Sequence, residues 1–278
     1  MSKQPTVTLW GVRGSLPTPG PETVRYGGHT TCVSVDVPGG PVVIFDAGTG
    51  IRPLGKALRG DGRDVLLFVT HVHWDHVIGY PFFEPLYEKG RTIHLFPIVL
   101  GDHPRPLDDL FEPRHFPVTR DRLSSPCDYV TEGASDVLAG YGLSVSAVCV
   151  AHPGLTAGYR LEVGGRSVVF IPDNELGADP AMREAVAAFA SGADVLIHDA
   201  QYLDDEIEAR RGWGHSSVGE ACSLAAEAAV GELVLFHHDP DRTDDTLDAV
   251  GAEAAAWMQA HAPNVQVTVA REGRTIPL

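Results

Sequence analysis

The chain is poor in cysteine, nearly devoid of lysine and without a long apolar run, and each scarcity excludes something. Its four cysteines, Cys32, Cys127, Cys149 and Cys222, are widely spread over 278 residues and show no C-x-x-C spacing. Three of them sit in apolar or helical stretches and read as small buried hydrophobes, kept reduced as in a cytoplasm. Lysine occurs only at Lys3, Lys56 and Lys89, and the formal net charge is −16. So acidic a chain repels polyanions, which argues against broad, sequence-independent binding of nucleic acid and leaves room only for a local basic pocket. No stretch reaches the roughly 18 apolar residues of a membrane span. The opening MSKQPTVTLWG lacks a charged segment followed by an apolar one, as a secretory leader would have. A cytoplasmic enzyme with no membrane partner is expected. A hydrophobic content of 44% suffices for a large single core or for two domains.

What the chain does have is concentrated. Thr70-His71-Val72-His73-Trp74-Asp75-His76 follows the apolar run Val65–Val69 directly. A strand feeding His-x-His places both imidazoles on one face, because side chains two apart in a strand point the same way. Asp75 and His76, at the start of an Asp75–Gly79 turn, then reach a point a few ångströms away. Three neutral imidazoles and a carboxylate suit zinc, or manganese or iron where more oxygen ligands join.

Short Val-rich runs read as strands at Thr6–Trp10, Cys32–Val37, Val42–Phe45, Val65–Val69, Ile93–Phe96, Leu143–Val150, Gly158–Val163, Ser167–Ile171, Val195–His198, Leu233–Phe236 and Val265–Val269. Gly164-Gly165 is a hairpin signal. Helices are expected at Asp179–Ala190, Ser217–Ala229 and Thr243–Ala260, the first opened by Asp179-Pro180 and the second by a Ser217…Glu220 capping box. Prolines 104, 106, 113, 117 and 126 make the stretch from Gly101 to Pro126 irregular. Strand-rich halves on either side of it, each ending in helices, predict two packed β layers with helices outside. No linker divides the chain, so residues 1–278 are expected to form a single domain.

Further polar residues end apolar runs: His152 after Val148–Val150, Asp173 after Val168–Ile171, and His237-His238 after Leu233–Phe236. A donor at the end of a buried strand is held rigidly, as a binding site needs. With Arg13-Gly14-Ser15, Phe45-Asp46-Ala47-Gly48-Thr49-Gly50, Ile197-His198-Asp199-Ala200 and Gly214-His215-Ser216-Ser217, the set resembles the metallo-β-lactamase-fold hydrolases over nearly the whole chain. Within them it resembles the branch of ribonuclease Z and the related cyclic-nucleotide and other phosphodiesterases. The resemblance implies a four-layer αββα sandwich with metals at the open edge between the sheets. It implies His71, His73 and His152 on one ion, Asp75, His76 and His237 on the other, and Asp173 bridging them. His237 is preferred to His238 because it directly follows the strand, where the family's last ligand sits. The lactam-cleaving enzymes of this fold typically carry cysteine at the place of Asp173, so the aspartate points to two-ion phosphoesterases and thioesterases.

Two divalent ions about 3.5–4 Å apart can hold a shared hydroxide at neutral pH and neutralise charge developing on the attacked group. Zn2+ is the expected metal, with Mn2+ or Fe2+ as alternatives. Asp75 is expected to aim the hydroxide as well as bind metal. His215, just before the capping-box helix, is expected to donate to a phosphate oxygen or protonate the leaving alkoxide, helped by the free N–H groups of that helix start. Asp46 and Asp199 read as supports for the metal ligands or for His215. His29 and His198 read as structural, and His94, His103, His115 and His261 are given no role. Arg105, Arg114, Arg120 and Arg122, with Phe111 and Phe116, either grip a phosphate and stack on a base or pair internally with Asp108, Asp109, Glu112 and Asp121.

The favoured activity is hydrolysis of a small phosphodiester such as a cyclic nucleotide. The acidic charge, and the lack of a long Gly-Pro-rich arm in the second half, set it ahead of tRNA 3′-end processing. A carboxyl-ester, thioester or lactone hydrolase and a non-catalytic metal-dependent sensor are the alternatives. A homodimer is left open.

Overall fold

The computed structural model describes residues 4–97, 105–114 and 116–278. His103, His115 and residues 101–104 of the proline-rich stretch lie outside the described residues.

Two sheets stack face to face. The first takes its strands from the first half of the chain: β1 (Thr6–Gly11), β2 (Cys32–Asp36), β3 (Val42–Phe45), β4 (Val65–Phe68), β5 (Ile93–Phe96) and β6 (Cys127–Tyr129). Three helices accompany it, α1 (Ile51–Ala57), α2 (Trp74–Val77) and α3 (Ala134–Gly140). The second half supplies β7 (Ser144–Cys149), β8 (Ala157–Val163), β9 (Arg166–Ile171), β10 (Val195–Asp199), β11 (Glu232–Phe236) and β12 (Gln266–Val269). Its helices are α4 (Pro180–Ala190), α5 (Val218–Glu227) and α6 (Asp244–His261). A last strand, β13 (Thr275–Pro277), returns to pair with β1, so the orders are β13-β1-β2-β3-β4-β5-β6 and β12-β11-β10-β9-β8-β7.

Between the sheets lies a core of Val, Leu and Phe side chains, with Phe45, Phe68, Phe96, Tyr159, Phe170 and Phe236 in ring contact. Separate apolar layers cover each outer face, one under α4, α5 and α6 and the other under α1 and the short turns that follow α2. This is the expected αββα arrangement.

Strands β3, β4, β5 and β6 run parallel, as do β9, β10, β11 and β12. Their carboxyl ends therefore open onto common edges, where open α/β sheets bind ligands. All eleven expected strands and three expected helices form, to within a few residues. The Asp179 side chain accepts from Ala181 N at 2.8 Å, and the Ser217–Glu220 box closes in both directions. Gly164 and Gly165 both adopt positive φ in the β8–β9 hairpin. Besides α2, four of the labelled elements were not expected. Helix α1 carries Pro53 and Gly55, which helices disfavour, while α3, β6 and β13 are too short to show a period.

Three sequence expectations need correction. The His-x-His pair lies beyond its strand, since β4 ends at Phe68, and Asp75 and His76 sit in the single-turn helix α2 rather than a plain turn. Strand β7, which leads to His152, is an edge strand with four of its six residues exposed and none buried. For the same reason Cys149 is exposed. Only Cys32 and Cys222 are buried, and Cys127 is half-buried.

Candidate metal centre

Residues from both halves meet at the strand ends. Asp46 follows β3, His71 and His73 lie past β4, Asp173 lies two residues past β9, Asp199 ends β10 and His237 follows β11. Two groups of donors result, His71, His73, His152 and Asp173, and then Asp75, His76 and His237, with ligand atoms within 4.8 Å in each. Asp173 faces both. Its Oδ2 lies 3.6 Å from His71 Nε2 and 3.5 Å from His152 Nε2. Its Oδ1 lies 3.1 Å from His76 Nε2 and 3.2 Å from His237 Nε2.

The far side of each ring sets its tautomer. His76 Nδ1 donates to Asp46 Oδ2 (2.8 Å), His237 Nδ1 to Gln201 Oε1 (2.8 Å) and His152 Nδ1 to the Gly214 carbonyl (2.8 Å). Thr70 Oγ1 donates to Asp46 Oδ2 at 2.8 Å, so it is free to accept from His71 Nδ1 at 3.0 Å. Four Nε2 lone pairs consequently point inward. His76 Nε2 and His237 Nε2 face each other at 3.3 Å, and His73 Nδ1 lies 3.0 Å and 3.1 Å from the Nε2 atoms of His71 and His152. Asp173 Oδ1 is buried and accepts no hydrogen bond. Convergent lone pairs beside an unpartnered buried carboxylate oxygen form a seat for cations, and nitrogen and carboxylate donors in this number fit two divalent ions.

Charge supports the fit. Asp46, Asp75, Asp173 and Asp199 are all buried, and among the described residues none is paired with lysine or arginine. Burial disfavours charge on His76, yet Asp173, Asp75 and Asp46 outweigh it and hold this imidazole well above its usual range. Burial keeps His71 and His152 below theirs, as neutral ligands require.

His215 stands apart. Its Nδ1 donates to Asp199 Oδ2 at 2.8 Å, and its ring stacks on His237 with centroids 5.1 Å apart. Burial opposes a charge there, but Asp199, then Asp173 and Asp75, prevail and raise it to about 9. Although Asp173, His215 and His237 also cluster, the His215 ring stacks beside His237 with its Nδ1 on Asp199 and joins neither of the two donor groups, so His215 belongs outside the donor set. Asp199 orients His215, and Asp46 supports His76 and, through Thr70, His71.

The backbone around the centre is held in sparse conformations. Ser15, Asp46 and His237 have φ of 62°, 59° and 61°, and strain of this kind gathers at functional sites. The Ser15 N–H donates to Asp75 Oδ2 at 2.8 Å. Gly14 is required because a Cβ there would sit 2.4 Å from His237 Nδ1. His238 points away, with Nε2 donating to the Ala270 carbonyl at 2.9 Å, and burial lowers it to about 3. Of the two histidines it is therefore His237 that joins the cluster.

Several partners escaped the sequence reading. Gln201 lies in no motif, and the Gly214 carbonyl and the Ser15 N–H are backbone groups whose roles the segments containing them do not reveal. Glu175 accepts from Gly212 N and Gly214 N, both at 2.9 Å, and so fixes the loop leading to His215. Two expectations change. The α5 start offers no free anion seat, because Ser217 Oγ and Asp204 Oδ1 already take the N–H groups of Glu220 and Gly219. The proline-rich loop pairs internally: Arg105 and Arg120 bind Asp108 at 3.0 and 2.8 Å, Arg122 lies 3.8 Å from Asp121, and Phe111 and Phe116 pack on Tyr80 and Phe82. His29 and His198 are structural, bonded to Thr49 and to the Asp199 carbonyl.

Fold and donor set together define a metal-dependent hydrolase of the metallo-β-lactamase fold. The chain belongs to the β-lactamase superfamily domain family, which it matches over residues 42–238. It is 26% identical to ribonuclease Z of Methanosarcina acetivorans over 287 residues, covering 86% of this chain and 89% of the relative. It is also 26% identical to ribonuclease Z of Shouchella clausii over 217 residues, covering 62% and 68%. Among solved structures, YhfI of Bacillus subtilis superposes with a TM-score of 0.70 at 17% identity, covering 99% of both chains. A diphosphatase of the PhnP family gives 0.67 at 19%, covering 99% and 98%. Relatives named as ribonucleases run partly against the expectation, drawn from charge, that extended nucleic-acid binding is disfavoured. Among the described residues no helix is long and apolar enough to cross a membrane.

Proposed function

We propose that the protein is a two-metal phosphodiesterase acting on a small phosphodiester, with a cyclic nucleotide the favoured substrate. Zinc is the proposed metal, with manganese or iron as alternatives. Residues 1–278 act as one domain, because the cluster draws on both halves. The observation that carries the reading is Asp173, whose two oxygens face two separate groups of donors, with the His215–Asp199 pair beside it.

His71, His73 and His152 would hold one ion and Asp75, His76 and His237 the other, with Asp173 shared. When bound, such ions acidify water and neutralise charge on a phosphoryl group. The chain's own residues do the rest. Asp75, held by the Ser15 N–H, orients the attacking water. His215, positively charged and fixed through Nδ1 by Asp199, presents Nε2 to the leaving oxygen and gives it a proton. A thioester's thiolate needs that proton less than an alkoxide does, so the charged pair favours an alkoxide-releasing substrate such as a phosphodiester. The names of the relatives favour a second reading, RNA processing at a 3′ end.

Turnover decides between them. Zinc-loaded protein is expected to hydrolyse bis-p-nitrophenyl phosphate and 3′,5′-cyclic nucleotides, to lose both activities to a chelator and to leave precursor tRNA uncut. Cleavage of precursor tRNA with small diesters untouched would establish the second reading. Cleavage of thioesters or lactones alone would overturn both.

A further inference from the structure

The centre opens into a cavity of about 520 Å3, walled by Ser15, Val72 and Trp74 besides His215 and five of the candidate ligands. No lysine or arginine lines it. Arginines close in sequence are engaged elsewhere. The Arg13 guanidinium donates to the carbonyls of Gly27, Asp239 and Arg242, Arg211 pairs with Glu220, and Arg210 lies over the Tyr202 ring. Outside the described residues the only lysine or arginine is Lys3.

The surroundings are apolar instead. Eight large apolar side chains stand exposed among the described residues, and besides Ile78, which lines a different cavity, four of them lie close to the centre in sequence. Leu16, 62% exposed, follows Ser15. Trp74, 77% exposed, sits between His73 and Asp75. Leu155, 46% exposed, comes three residues after His152, and Trp213, 61% exposed, two before His215. The backbone beside three of them is held, since Ser15 is tied to Asp75, Trp74 lies within α2, and Glu175 clamps the loop at Gly212 and Gly214. Single exposed apolar residues need no explanation, but of these four, which flank the site in sequence as an apolar collar, Trp74 lines the cavity itself, and an aromatic wall over polar donors marks a binding face.

We infer that Trp74, within this apolar collar, is a specificity-determining residue that stacks on a planar, uncharged substituent of a singly charged phosphodiester, and that the site disfavours polyanionic chains. The inference rests on the phosphodiesterase reading and narrows its substrate class. A diester brings one negative charge, which two divalent ions held by the cluster would balance. An RNA strand brings one per nucleotide and needs a groove of lysine and arginine to meet them. An indole face favours any planar base by about tenfold or more.

Two substrates with the same leaving group isolate the collar: thymidine 5′-monophosphate p-nitrophenyl ester and methyl p-nitrophenyl phosphate. Zinc-loaded protein is expected to prefer the thymidine ester by about tenfold or more in kcat/KM. Trp74→Ala is expected to erase most of that ratio and Trp74→Phe to retain much of it. A ratio near one in the unaltered protein, or a high ratio unmoved in Trp74→Ala, would overturn the inference while leaving the phosphodiesterase reading intact. Tighter inhibition by a 20-nucleotide RNA than by adenosine 5′-monophosphate would overturn its charge argument. If neither ester is hydrolysed, the phosphodiesterase reading falls, and calorimetry then tests the collar alone. Adenosine 5′-monophosphate binding about tenfold tighter than ribose 5-phosphate, with the difference lost in Trp74→Ala, supports it. Equal affinities refute it.

Discussion

Replacing Asp173 with alanine is expected to abolish hydrolysis and to lower the zinc content of the purified protein below two ions per chain. Among the described residues the side chain is the only one whose two oxygens face both groups of donors, at 3.1 to 3.6 Å. Partners that merely orient metal ligands cost roughly 10- to 100-fold in affinity or activity when lost, and a shared ligand must cost more than that. Asp173→Asn makes the sharper test. It keeps the volume and one oxygen, so the fold survives while one of the two seats loses its charged donor. Elemental analysis of both variants, beside a thermal melt to show that they are folded, checks the outcome. Two tightly held ions in Asp173→Ala would remove the residue from its bridging role.

Second in size is His215. Its replacement by alanine is expected to lower kcat by about 10²- to 10⁴-fold for substrates with poor leaving groups, the range of general acid catalysis. The loss should be far smaller for p-nitrophenyl esters, whose leaving oxygen needs no proton. The sign of the pH effect follows from the raised titration of this imidazole. The acid form is the donor, so activity is retained below its pKa and falls as pH rises through it. Asp199, Asp173 and Asp75 bring that point to about 9, and cations bound to the last two reduce their pull. An alkaline limb at about 9 or below is expected in kcat for a cyclic nucleotide, and it should vanish in His215→Ala. Equal losses for good and poor leaving groups would make His215 a structural residue.

How much of this was legible depended on where each contact comes from. The His71–His76 segment announces itself because four donors are contiguous. His152, Asp173 and His237 were legible as polar residues ending apolar runs, and the choice of His237 over His238 followed from its place directly after β11. Contacts made by backbone atoms or by distant side chains left no trace in the sequence. The Gly214 carbonyl that fixes His152, the Ser15 N–H on Asp75 and the amide of Gln201 on His237 all arise from loop geometry. The α5 start was misread for the same reason, since Asp204, well before the helix, folds back to occupy it. Burial was legible in central strands but not at the edge, where β7 keeps an apolar composition yet leaves Cys149 exposed. In the proline-rich loop the competing possibilities could be separated only by distances, which join Arg105 and Arg120 to Asp108.

Anomalous diffraction from crystals of zinc-loaded protein tests the central claim most directly. Two peaks are expected, one among His71, His73 and His152 and one among Asp75, His76 and His237, with Asp173 in bonding contact with both. A single peak, or two peaks of which either lies away from these side chains, would contradict the account.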